Sequence, residues 1–128
     1  MKQTKGLTIV GWVVSALVSG MLIMSGVMKL SGAEQVFEEF DRLGFPRSTA
    51  TPIGIAELAC VALLLFPKTS VVGAILTVGY LGGATAVHVR LEEAFIMPVV
   101  IGVAAWIGIF LRSPAVRRAV LKPGGSVA

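Results

Sequence analysis

Four stretches of the chain are apolar at nearly every position, residues 7–30, 51–66, 70–89 and 94–111, with short polar breaks between them. A helix rising ~1.5 Å per residue needs roughly 20 residues to cross ~30 Å of hydrocarbon. The first and third stretches meet that length easily. The apolar cores of the second and fourth, residues 53–66 and 96–111, are short and must recruit residues 49–52 and the pair Glu93 and Ala94. The pattern therefore predicts an all-α membrane protein: a four-transmembrane-helix bundle.

Finer periodicity adds two features. In the first stretch Gly11, Ser15, Val18, Leu22, Ser25 and Lys29 recur at alternating steps of four and three, which puts them on one helical face. That face is small or polar, so it is expected to look into the bundle, where it lets another helix approach. In the first break, Ser31 and Glu34 have capping-box spacing, Val36, Phe37, Phe40 and Leu43 fall on one face, and Gly44 and Pro46 supply a stop. These signals predict a short amphipathic outer-loop helix over 33–43. Its acidic polar face makes anionic lipid a poor surface for it. It is expected to lie over the outer mouth with Phe37 and Phe40 downward as a lid, a plain interfacial helix being the alternative.

The break 67–70 reads as a tight turn in which Thr69 or Ser70 caps the next helix, making the second and third helices antiparallel neighbours. Gly73, Gly79, Gly82, Gly83, Ala84 and Ala86 crowd the third stretch and predict close backbone packing along it. Residues 1–112 form one transmembrane domain on this reading, and 113–128 a loose basic cytoplasmic tail. The first stretch is too long for a cleaved leader, so it is read as a span.

Composition agrees: 55% of the 128 residues are hydrophobic, only 14% are charged, and the mean hydropathy is +0.89. Charge then orients the bundle. Lys2, Lys5, Lys68, Arg112, Arg117, Arg118 and Lys122 fall on one side of four spans with no acid among them. Lys29, Arg42, Arg47 and Arg90 fall on the other with Glu34, Glu38, Glu39, Asp41, Glu92 and Glu93. The positive-inside rule places both termini in the cytoplasm of a bacterial plasma (inner) membrane. The net charge of +4 thus belongs to lipid-facing flanks and not to a nucleic-acid surface. One cysteine, Cys60, excludes dithiol chemistry and an intrachain disulfide, and one histidine leaves only a mixed carboxylate site, so no metal is expected.

The candidate chemistry lies in Lys29, Glu57, His88 and Arg90, ionisable groups within or at the edge of spans that cost about 2.5 to 3.5 kcal/mol each unless paired. Glu57 lies roughly 14 Å above Phe66 and His88 roughly 26 Å above Val71, while side chains lean toward their own helix N-terminus and narrow that gap. His88 is the preferred partner of Glu57, and Lys29 joins if the first helix sits low. The expected site is a polar pocket in the outer half, although a buried pair can also fix helix register without chemistry. Arg90 reads chiefly as a snorkelling arginine, with Glu92 and Glu93 solvated or paired with it.

The segments Gly54-Ile55-Ala56-Glu57-Leu58, Leu63-Leu64-Leu65-Phe66-Pro67, Gly73-Ala74 and Gly79-Tyr80-Leu81-Gly82-Gly83-Ala84, followed by His88 and Arg90, resemble the DoxX-like membrane proteins. That resemblance implies a four-helix bundle carrying Glu57, His88 and Arg90 as motif residues. It brings two precedents: membrane subunits of redox assemblies, including a thiosulfate:quinone oxidoreductase, and the receptor-assembly chaperone NACHO. It leads to the expectation of a small-molecule-binding, quinone-binding membrane subunit of an oxidoreductase complex. No cofactor is held by the chain alone, electrons are passed by a redox partner subunit, and homo-oligomers stay open. The alternative is a non-enzymatic assembly factor acting on membrane-protein clients, or a structural bundle, so enzyme status stays undecided.

Overall fold

The computed structural model describes residues 2–122 and 124, with side chains from residue 5 onward. The side chain of Lys2, and Pro123 and residues 125–128 of the tail, lie outside the described residues. The described chain is helical: α1 (Lys2–Leu30), α2 (Glu34–Leu43), a 3₁₀ turn (Arg47–Thr49), α3 (Ala50–Leu65), a second 3₁₀ turn (Pro67–Thr69), α4 (Ser70–Arg90), α5 (Ile96–Arg112) and α6 (Pro114–Leu121). Three of these are long and apolar enough to cross a membrane, over Lys5–Leu30, Arg47–Leu65 and Pro67–Arg90. The 3₁₀ turn at Arg47 extends the second of them, as its short apolar core requires. The α5 helix starts at Ile96 without recruiting Glu93 or Ala94, and meets the length test only together with α6, from which it is bent by 103°.

The four long helices form a ring: α1 packs on α3 and α5, and α4 packs on the same two, so α1 and α4 stand across from each other. Glycines set three of the four seams. A Cβ on Gly11 would run into the Arg112 backbone, and one on Gly108 would lie 2.6 Å from Ser15 Oγ, so α1 and α5 touch there. A Cβ on Gly73 would overlap the Leu64 backbone, which brings α3 against α4. Gly26 and Gly54 make the corresponding contact between α1 and α3. Val18, Leu22, Val61, Leu64, Ala74, Leu81, Ala105 and Ile109 fill the ring. The α1 face is as expected, with Gly11, Ser15, Val18 and Leu22 buried and Ser25 and Lys29 half-buried. Ser15 and Ser19 are buried with no hydrogen-bond partner for their hydroxyls among the described residues and serve as small packing residues, while Thr77 is buried beside Cys60.

Local details depart from expectation in four places. Gly79, Gly82 and Gly83 have open space where a Cβ would point, so the glycine-rich part of α4 is not a tight seam. Ala33 starts α2 without a side-chain cap, and Ser31 donates instead to the Met28 carbonyl (2.8 Å), so the capping box does not form. Thr69 closes the end of α3 by donating to the Leu63 carbonyl (2.9 Å) and does not cap α4. Residues 114–121 of the expected loose tail are a helix.

Candidate functional site

The sequence writes the same short pattern on two neighbouring antiparallel helices: Gly26-Val27-Met28-Lys29 on α1 and Gly54-Ile55-Ala56-Glu57 on α3. The glycines cross closely, since a Cβ on Gly54 would stand 3.0 Å from both the Gly26 carbonyl and Lys29 Cβ. Each charged residue lies one turn beyond its glycine, and each side chain leans back toward its own N-terminus. Both therefore converge on the crossing. Lys29 Nζ donates to Glu57 Oε2 at 2.9 Å and to Ser25 Oγ at 2.6 Å, and Ser25 Oγ donates to the same Glu57 oxygen at 3.2 Å. Glu57 is only 2% exposed, whereas Lys29 keeps 14% and reaches a cavity. Tyr80 from α4 comes within electrostatic range of the carboxylate, and Cys60 stands one turn along α3.

The pairing differs from the expected one. Lys29 binds Glu57, and His88 does not: its Nδ1 lies 3.2 Å from Glu93 Oε2 in the loop after α4. The physical reason is reach, because the imidazole sits near the end of α4 while the four-carbon lysine stem spans the depth difference. Glu92, at φ 57°, turns the chain left-handed, and the Glu93 amide closes on the His88 carbonyl (2.9 Å), which carries the Glu93 carboxylate back to the ring. Glu93 also pairs with Arg42 of α2. Arg90 neither snorkels freely nor meets Glu93; it donates to the Leu43 carbonyl at 2.7 Å. Arg42 and Arg90 thus fasten α2 across the end of the bundle.

That fastening brings Phe40 to both cavities beneath α2 and leaves Phe37 elsewhere. Gly44 adopts φ 79°, its amide bonds the Asp41 carbonyl, and the Phe45 amide bonds Phe40 (2.9 Å), a Schellman closure whose apolar contact is the edge-on Phe40–Phe45 pair at 6.0 Å. Phe40 is 4% exposed. Phe37 is half-buried under the Arg47 guanidinium, 5.4 Å from its ring centre, and lines neither cavity below. Arg47 also binds Asp41 (2.7 Å), and this hydrogen bond holds the Asp41 carboxyl below its ordinary value, as Arg42 does for Glu39.

Two cavities meet beneath α2. One, of about 550 Å³, is walled by Lys29 and Ser25, by Phe40, Leu43 and Phe45, by Ile53 of α3, and by Tyr80, Gly83, Ala84, Val87 and His88 of α4. The other, of about 370 Å³, opens between α1 and α2 past Met21, Met24 and Met28. Ser25, Lys29, Glu39 and Phe40 are common to both. Gly83 of α4 makes room for the larger cavity, since a side chain there would enter it.

A family model for the DoxX-like family matches residues 13–108. The chain belongs to the DoxX-like family. Membership and the apolar helices make it a multi-pass membrane protein. Among curated proteins and among solved structures nothing matches. The matched part of this DoxX-like protein contains the whole Lys29–Glu57 site and both cavities, and excludes Arg112 and α6. Ser25, Tyr80 and Phe45 join the site without having been singled out for it. Ser25 had a readable signal, four residues before Lys29 on the polar face, while Phe45 depends on a closure that sequence alone does not display.

Proposed function

We propose that this DoxX-like protein spans the bacterial plasma membrane four times, with α5 as the fourth span and both termini cytoplasmic, and that the cavity under α2 binds a small lipophilic molecule with a polar head. The segregation of Lys and Arg to one side of four spans supports the topology. The observation that carries the ligand reading is one cavity that combines Lys29, tied to a sealed carboxylate, with His88, tied to Glu93, across a floor of aromatic and aliphatic side chains. Pockets of this kind, mostly apolar with a few placed polar groups, suit small ligands.

Quinones are the best-fitting class. A head with two carbonyl oxygens suits donors on opposite walls, and an isoprenoid tail suits the methionine-lined opening toward the bilayer. A bound quinone would supply two-electron acceptor chemistry, with electrons from a partner subunit of a redox complex. The residues of the chain do the rest: Lys29 and His88 donate hydrogen bonds and hold protons at the head, Glu57 fixes the lysine, and Phe40 excludes water.

The test is thermal unfolding of the purified protein with a series of quinones. A quinone-dependent rise in melting temperature that is lost in Gly83→Leu and weakened in His88→Gln supports the reading. No rise with any quinone sinks it. A second reading, an assembly factor for membrane proteins, is favoured by one observation: an apolar groove of about 520 Å³ between α4 and α5 past Gly82, Gly102 and Trp106. Copurified partners separate the two, a redox subunit supporting the first and varied membrane clients the second.

A further inference from the structure

The other end of the bundle carries a second site outside the matched family region. Leaving α5, the chain turns through 103° into α6, which is held from both sides. Ser113 Oγ accepts from the Val116 amide (3.3 Å), Pro114 opens the helix, and Val116 packs against the core. Arg117 donates back to the carbonyls of Phe110 (3.3 Å) and Leu111, capping the end of α5 and fixing the angle. Against this frame lies a groove of about 300 Å³ lined by Pro114, Arg117, Arg118, Leu121 and Lys122. Arg118 and Lys122 are one turn apart on the same face, and neither side chain has a hydrogen-bond or ion-pair partner among the described residues. No Asp or Glu follows Glu93 in the sequence, so no acidic side chain of this part neutralises them. Beside the groove Val120 and Leu121 face outward, 56% and 67% exposed.

We propose that this groove seats the phosphate of an anionic glycerophospholipid, with Arg118 and Lys122 on the phosphate and Leu121 and Val120 beside the acyl chains. A basic groove rimmed by outward aliphatic side chains matches a molecule that is anionic at one end and apolar at the other, at the depth where a helix leaving the last span meets the headgroups. The proposal rests on α5 being a span, as proposed above, and not on the quinone. Arg117 is occupied at the α5 terminus and positions the groove, leaving the other two bases to supply the contacts.

Lipid retention by the full-length protein, read by native mass spectrometry after extraction from vesicles of phosphatidylcholine mixed with phosphatidylglycerol, tests this. Two bases at an anionic headgroup correspond to about a 30-fold preference for the anionic lipid. That preference is expected in the native chain, kept in Arg118→Lys, and reduced to near unity in Arg118→Gln/Lys122→Gln. The double variant should retain its melting temperature in phosphatidylcholine, because neither residue holds the fold. Equal retention of both lipids by the native chain, or an undiminished preference in the double variant, overturns the proposal. Displacement of the lipid by inorganic phosphate alone would assign the seat to a free anion and overturn it as well.

Discussion

Glu57, midway along α3, and Arg112, at the end of α5, are sealed almost equally, at 2% and 7% exposure, yet their surroundings have little in common. Glu57 meets a full counter-charge, Lys29, with Ser25 sharing the same oxygen. Arg112 meets no acid: it donates to the Leu64 carbonyl, lies over the Trp12 ring at 4.2 Å, and leaves Nη1 without a partner. One charge is balanced by another charge, and the other by a dipole and a π face. The α2 end thereby keeps an ion pair whose lysine lines a cavity, while the α6 end uses its cation to clasp three helices. The partner of one buried charge reaches a void, whereas the partners of the other are backbone and ring.

The comparison breaks most sharply if Lys29 is removed. Lys29→Met strands a sealed carboxylate and should cost about 3–5 kcal/mol of stability, while Lys29→Met/Glu57→Leu recovers most of it. Denaturant unfolding in mild detergent checks both, and an unaffected single variant would mean that the pair contributes nothing to the fold. Next in size, Gly54→Val forces α1 from α3 at the crossing and should cost about 1–3 kcal/mol. The same substitution should abolish cross-linking between cysteines placed at Ser25 and Glu57, while leaving the α1–α5 seam intact.

Arg112→Met should cost less, about 2 kcal/mol. It removes a charge-assisted hydrogen bond and a cation–π contact, but also relieves the unpartnered Nη1. A loss larger than that of Lys29→Met would reverse the comparison. The smallest effect is on α2. Asp41 and Glu39 are held below their ordinary values of 3.8 and 4.5 by Arg47 and Arg42, so their contribution is complete above those values and fades as pH falls through the lowered ones. Amide protection in α2, taken relative to the intrinsic exchange rate at each pH, should fall under acid below about pH 4, while protection near Arg112, which has no carboxylate, stays flat.

Much of this bundle is legible from spacing alone. The four-and-three rhythm from Gly11 to Lys29 names the inward face of α1 correctly, and the run from Val36 to Gly44 places α2. Sequence identifies Glu57 as the acid needing a base, yet it favours His88 over Lys29, because depth along each helix is readable while the crossing of Gly26 with Gly54 is a relation between helices. For the same reason Gly73 and Gly83 look alike in the sequence, although one meets a backbone and the other a void. Thr69 shows a further limit, since its hydroxyl has carbonyls available behind it as well as amides ahead. Arg112 is readable as a cytoplasmic flank charge, but its burial depends on Gly11 letting α5 come close.

Cys60 is the single thiol of the chain and stands half-buried one turn along α3 from the ion pair. The protein thus carries a unique attachment point for a reporter: a fluorine tag there would register changes at the Lys29–Glu57 pair as a change in chemical shift, with no competing label to subtract.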